Sequence, residues 1–270
     1  MTPNVGDALT PWLIEKLGLY DTAWVSPGFA SEHYIATGSV LNWANEHSVV
    51  WGAGLASWKD EVNPHADIRA VRGPLSLLRL RSMGWKGPRE VIRHAAVGDP
   101  ALLLPKLVQP QGNRHHGKSG IIPHYADMAR FTSDDAEKIL AAHNAVLIDP
   151  LLPVEEFCWQ VAACSRIVSS SLHGLIVADA YGIPNMWAKF GDNIGGDGMK
   201  YWDHMAAVGR TPFDLPPYWA DYRMLSVAEM LADFGKVRDD QIPAMTRECL
   251  HAVQDWLLKT CPFLHATVKL

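Results

Sequence analysis

Apolar positions in this chain come as short β-like runs alternating with stretches of helical spacing, each separated by Gly, Pro or Asp turns. The first helical stretch starts at Thr10-Pro11, carries Trp12, Leu13, Ile14 and Leu17, and stops at Gly18. Proline is tolerated in a first helical turn, where its missing N–H has no bond to lose. His33–Ala36 and Val49–Trp51 read as strands, the second running into Gly52-Ala53-Gly54. Ile68–Val71 is a third strand, followed by Arg72-Gly73-Pro74 and a helix over Leu75–Met83 that ends at Gly84. Ala95–Val97 leads into Gly98-Asp99-Pro100. Residues 106–119, KLVQPQGNRHHGKS, lose this pattern and read as a linker.

A second series follows the linker. Gly120–Pro123 is a strand, and Asp134–His143 a helix with Thr132 or Ser133 as its N-cap. Then come strand Ala145–Ile148, helix Val154–Ala163, strand Ile167–Ser169, helix Leu172–Tyr181 and strand Asn185–Lys189. Gly191–Gly198 is a glycine-rich loop, and the remainder from Tyr201 reads as mainly helical, with Pro243–Leu258 the clearest helix. Strands alternating with helices predict parallel, doubly wound sheets. The expected organisation is two Rossmann-like α/β domains, residues 1–110 and 111–270, the second carrying the terminal helices. Ligands are then expected in the cleft at the strand C-termini.

Composition narrows the reading. Hydrophobic residues make up 48% of the 270 and charged residues 20%, ordinary values for a globular protein. A net charge of −5 argues against broad non-specific binding of nucleic acid. The eleven tryptophans supply core residues first and, for some, planes on which sugar rings stack. Cys158, Cys164, Cys249 and Cys261 form neither a CxxC pair nor a zinc spacing, so no metal site and no disulfide framework is expected. The opening MTPNVGDALT lacks the basic and apolar regions of a secretory signal, and no apolar run approaches the roughly 20 residues that span a bilayer. The expected location is the cytoplasm, with peripheral association at the inner face of the cell membrane through a lipid-linked substrate.

The chemistry concentrates at strand ends. Ser169-Ser170-Ser171-Leu172-His173-Gly174 joins a strand to a helix, which puts free N–H groups beside hydroxyls and an imidazole. Such a helix start attracts phosphate or carboxylate, and a histidine there can also move a proton. Asn4-Val5-Gly6-Asp7 offers a close turn and a carboxylate, read equally as a helix cap or as a group that orients a sugar hydroxyl. Arg72 after a strand suits an anion clamp, because its fork makes two parallel charge-assisted bonds; a surface arginine is the plainer alternative. Gly52 and Gly54 allow backbone approach to a ligand, or simply tight packing. Asp99 and Asp149 shape loops at strand ends, His124 follows a strand end, and Lys189 ends one. His115-His116 lies in the linker and reads as solvated.

Together these segments resemble one family. Asn4-x-Gly6-Asp7-Ala8-Leu9, Gly52-x-Gly54, Val71-Arg72-Gly73-Pro74, Gly98-Asp99-Pro100, Gly120-Ile121-Ile122-Pro123, Ser169-Ser170-Ser171-Leu172-His173-Gly174 and Ala180-x-Gly182-Ile183-Pro184 occur in this order in the polysaccharide pyruvyl transferases. The chain is similar to the ExoV-like exopolysaccharide members in particular, over roughly residues 4–190. The resemblance implies two Rossmann-like domains facing across a cleft, as in glycosyltransferases of the GT-B type, and transfer of pyruvate from phosphoenolpyruvate to a sugar as a ketal. It implies no cofactor, and as partners only the phosphoenolpyruvate donor and a sugar or lipid-linked oligosaccharide acceptor. His173 is then the donor contact and general acid, and Asp7 positions or deprotonates the acceptor hydroxyl. Arg72, Lys189 and His124 are the anion-binding candidates, Asp99 a second acceptor candidate, and Asn4, Gly6, Gly52, Gly54, Ser169, Ser170 and Ser171 line the substrates. Some members carry Arg where this chain has Ser171, which shifts the anion site to other cations, and members have a strand ahead of the Asn-x-Gly-Asp segment on which this chain opens. A GT-B glycosyltransferase using a nucleotide sugar, a catalytically silent sugar-binding relative and an acceptor-binding scaffold remain the alternatives.

Overall fold

A computed structural model describes residues 4–17, 22–87, 97–110, 117–210, 219–237, 242 and 244–262. The fold is α/β with two parallel sheets. The chain divides into two compact units that interleave: Met1–Val5, Leu104–Gly195 and Pro212–Thr246 form one, and Gly6–Leu103, Gly196–Thr211 and Arg247–Leu270 the other.

The second sheet in chain order has five parallel strands: β4 (Ser119–Ile122), β5 (Ala145–Leu147), β6 (Arg166–Ser169), β7 (Asn185–Lys189) and β8 (Trp219–Asp221), arranged β5-β4-β6-β7-β8. Every residue of β4 is buried, as a strand covered on both faces requires. Gly120 of β4 has no room for a Cβ, which would collide with Ile167 and press on Cys164 and Ile148. Helices α4 (Asp134–Ala142) and α8 (Val227–Lys236) pack on each other, as do α5 (Val154–Ala162) and α6 (Leu172–Ala180). Ser133 caps α4 by accepting from the Ala136 N–H at 3.2 Å. Leu140, Met230 and Phe234 from α4 and α8 share a core with Ile121, Val168 and Met186 of the strands. All nine residues of α6 are buried, so it lacks a polar face. Its Asp179 carboxylate accepts from the Asn185 amide at 2.7 Å.

Two expectations change here. The segment after Tyr201 is not simply helical, because β8 adds a fifth strand beside β7. Its three residues are too short for a periodic signal. The terminal helix α9 (Arg247–Thr260) packs with the first sheet's unit rather than the second's. The Trp51 indole donates to the Leu257 carbonyl at 3.1 Å, and the Gln254 amide to the Leu102 carbonyl at 2.7 Å.

That unit holds the parallel strands β1 (His33–Ile35), β2 (Ser48–Trp51) and β3 (Asp67–Ala70), in that order. Val71 forms a parallel bridge to Val97; Ala95 and Ala96 lie outside the described residues. Helix α2 (Pro74–Ser82) follows β3 and packs on α7 (Met199–Ala207). The short α3 (Leu104–Leu107) opens the expected linker, whose His115-His116 lies outside the described residues. Helix α1 runs Val5–Lys16, starting ahead of the expected Thr10 and carrying Pro11 inside it. Pro11 removes one backbone bond, whereas Leu9 and Leu13, one turn apart, are fully buried on the same stripe. Burial of that stripe outweighs the lost bond.

Candidate functional site at a sheet switch point

The order β5-β4-β6 means that the chain leaves β4 in one direction and returns past it to β6 in the other. Open α/β sheets bind ligands at such a reversal, outside the strand C-termini. Here the two ends are Ile122-Pro123-His124 after β4 and Ser169-Ser170-Ser171 after β6.

Hydrogen bonds define the corner. The Ser170 N–H donates to the Ile122 carbonyl at 3.1 Å. The Ser169 hydroxyl lies 2.9 Å from the Ile122 carbonyl and 2.8 Å from the Ser171 carbonyl, and accepts from the Ser171 N–H at 3.0 Å. A side chain at Gly174 would collide with that hydroxyl, which accounts for the glycine that ends the Ser-Leu-His-Gly segment. The hydroxyls of Ser169 and Ser170 are fully buried and shape the turn, whereas Ser171 precedes α6 with no side-chain cap bond. His173 sits in the first turn of α6, 7% exposed, where the helix dipole favours an anion.

After β4, the His124 N–H donates to the Ser170 hydroxyl at 2.7 Å, and that hydroxyl donates to Asp127 Oδ2 at 3.2 Å. The His124 Nδ1 accepts from the Ala126 N–H at 3.3 Å, capping the 3-10 turn Tyr125–Arg130. Burial pushes the Asp127 carboxyl up, against hydrogen bonds from Ser170 and Asn193 and the Arg130 charge. Lys189, at the end of β7, lies 5.7 Å from the Trp187 ring and helps hold the Asp221 carboxyl down. Arg223 joins Asp221 to Asp192 and is the main reason that Asp221 falls to about 2. Arg130 ties the segments together, donating to the carbonyls of Phe190, Tyr222 and Leu225. His124, Ser169, Ser170, Ser171, His173 and Lys189 all lie at the C-terminal ends of the three inner strands of one sheet. Asp127 joins them unannounced by the sequence, since it lies in no motif and only its nearness to a strand end hints at it.

The remaining candidates belong to the other unit or its lead-in. Asn4 immediately precedes α1, Gly6 is buried and Asp7 is exposed in the first helical turn. The Thr37 hydroxyl donates to the Gly6 carbonyl at 3.1 Å. Gly52 has φ +108° with Pro100 against its Cα, and a Cβ on Gly54 would collide with the Arg72 guanidinium. Asp99 is fully buried and accepts from the Ala101 N–H at 2.9 Å, capping the turn Pro100–Leu103.

Arg72 is not a presented clamp; it is fully buried. Its guanidinium donates to Ser39 Oγ at 2.7 Å and the Leu55 carbonyl at 2.6 Å, and pairs with buried Asp203 at 3.1 Å. Asp203 also accepts from the N–H groups of Leu75 and Ser76 and from the Ser76 hydroxyl, closing the start of α2. One turn before Asp203 on α7, burial and the Arg72 charge push Lys200 down to about 8. A lysine two residues past a glycine-rich loop gives no sequence signal. Among the described residues, no group of three or more His, Cys, Asp or Glu could hold a metal ion.

A family model described as polysaccharide pyruvyl transferase matches residues 45–187. An uncharacterized protein of Acanthamoeba polyphaga mimivirus, L143, is 29% identical over 215 residues, covering 76% of this chain and 71% of that protein. The succinoglycan biosynthesis protein ExoV of Rhizobium meliloti is 27% identical over 219 residues, 77% of this chain and 62% of ExoV. No solved structure matches the chain significantly.

Proposed function

Because this chain belongs to the polysaccharide pyruvyl transferase family, a family of enzymes, we propose that it moves pyruvate from phosphoenolpyruvate onto a sugar of an exopolysaccharide or its lipid-linked precursor, forming a ketal. The observation that carries this reading is the Ser169–Gly174 corner: a helix start, a histidine and the neighbouring Lys189 at a sheet switch point. A donor with a phosphate and a carboxylate needs such an end.

In this reading His173 gives a proton to the methylene carbon of the donor, and the enol carbon becomes an oxocarbenium centre. A sugar hydroxyl adds to that carbon and loses its proton to a base, for which Asp7 is the candidate. Phosphate then leaves with the electron pair of its C–O bond, and a second hydroxyl adds with loss of its proton, closing the ketal. One donor and one diol thus give one ketal and one inorganic phosphate. Lys189 and His124 bind the anionic donor, and Arg72 and Asp99 hold the shape of the other unit's strand ends. Exposed Trp43 and Trp58, 49% and 40% accessible, supply planes for sugar rings. A GT-B-like arrangement, with donor and acceptor on different units, is part of the proposal. No helix among the described residues is long and apolar enough to cross a membrane, so a lipid-linked acceptor would be met at the membrane surface.

Phosphate release from phosphoenolpyruvate, dependent on an unpyruvylated exopolysaccharide oligosaccharide, tests the reading. Sugar-dependent release with pyruvate retained on the oligosaccharide is the expected result. Turnover of a nucleotide sugar instead would replace it with glycosyl transfer.

A further inference from the structure

Asp127 takes no part in the chemistry above, yet it is 5% exposed at the centre of the corner. A hydroxyl has one hydrogen to give and two lone pairs. Ser170 gives its hydrogen to Asp127 and accepts the His124 N–H, so the two neighbours fix its rotamer between them. The Ala126 N–H on His124 Nδ1 requires a lone pair there, which leaves the ring hydrogen on Nε2. The Tyr125 ring lies against the imidazole, with centroids 4.3 Å apart. On its far side Asp127 meets the loop after β7: Asn193 hydrogen-bonds it, and a Cβ on Gly191 would collide with its Oδ1.

We propose that Asp127 is a positioning residue of the donor site: through the Ser170 hydroxyl, which accepts the His124 backbone N–H, it fixes the start of the His124–Ala126 turn in which the Ala126 N–H holds the imidazole as an Nε2–H donor to a phosphate or carboxylate oxygen, and it ties the Gly191–Asn193 loop to the same corner. The inference rests on the donor reading given above. The charged groups that act on Asp127 are Arg130 from its own turn and Asp192 from the loop. Burial dominates over these and over the hydrogen bonds, so the carboxylate sits where it costs stability. Carboxyl groups perturbed in this way cluster at functional sites.

A double-mutant cycle on donor affinity separates this role from a packing role. Phosphoenolpyruvate is titrated calorimetrically into wild type, Asp127→Ala, His124→Ala and the double variant. If Asp127 acts through His124, each single change weakens binding by about tenfold and the double is no weaker than His124→Ala. Additive losses, or no loss in Asp127→Ala, overturn the proposal. Should Asp127→Ala not fold, Ser170→Ala replaces it in the cycle, with the same expectation. A ligand-free readout accompanies the cycle: nitrogen-15 NMR of His124 should show the Nε2–H tautomer in wild type and in Asp127→Asn, and a tautomer mixture in Asp127→Ala. An unchanged tautomer in Asp127→Ala overturns the positioning role. Wild type that fails to bind phosphoenolpyruvate removes the donor reading alone, and the tautomer spectrum then decides the role of Asp127.

Discussion

At the scale of single residues, the proposed mechanism divides the corner into groups that act on the donor and groups that shape the turn. His173 is buried in the first turn of α6, so its truncation removes packing as well as the imidazole. In the proposed mechanism His173→Ala should lower kcat by roughly a hundredfold or more, beyond what its modest loss of melting temperature accounts for. His173→Gln should regain donor binding but not turnover, since an amide donates a hydrogen bond but no proton; steady-state phosphate release measures both. Asp127 makes the opposite kind of prediction. Its carboxyl lies above the ordinary carboxylate range in the folded state, so it stabilises the fold at acid pH and loses that contribution as pH rises through the folded value. Asp127→Asn should therefore melt higher than wild type at about pH 8, and the gap should close near about pH 4. Lys200 runs the other way, because its folded value of about 8 lies below the ordinary 10.5. Wild type should gain stability as pH rises between those two values, and Lys200→Met should flatten that rise in thermal scans. Neither residue was legible in the sequence, because burial made by distant segments leaves no local pattern. His173, His124 and Lys189 were legible, because each stands at the end of a recognisable apolar run.

At the scale of elements, the Arg72–Asp203 pair joins the end of β3, the start of α2 and the middle of α7. Arg72→Ala should destabilise by about 3–5 kcal/mol, because it leaves a buried carboxylate uncompensated. Replacing both partners, Arg72→Met with Asp203→Leu, should lose less than the single change, as chemical denaturation would show. The sequence alone reads Arg72 as a clamp because an arginine after a strand looks the same in both roles. What distinguishes them is an aspartate 131 positions later (203 − 72), on a helix joined to β3 only by folding. Element types were far more readable: β7 occurs over the residues expected, and α2, α4, α5, β4 and β6 within a residue or two. Their apolar spacing is local, and Ser133, Pro74 and Gly182 punctuate it. The start of α1 was misread because Pro11 marks a helix start in isolation, whereas the buried stripe at Leu9 and Leu13 carries the helix through it.

At the scale of the whole molecule, the chain passes between its two compact units at residues 5/6, 103/104, 195/196, 211/212 and 246/247. Neither unit is a continuous stretch, so a cut at the expected linker should yield two fragments that do not fold. Residues 1–110 alone lack Asp203, Leu257 and Gln254, and should show no cooperative melting transition by circular dichroism. A sharp transition in that fragment would mean that β1–β3 is self-sufficient. The helix that supplies Leu257 also has a consequence for how the protein is made. Synthesis proceeds from the N-terminus, and domains generally fold as they emerge. If the 1–110 fragment does not fold, the earliest strands are expected to wait for α9, while β4–β8 and α8 can complete their sheet first. On that expectation the part translated first is the last to close, and Trp51 and Leu102 stay open to chaperones and proteases until α9 arrives.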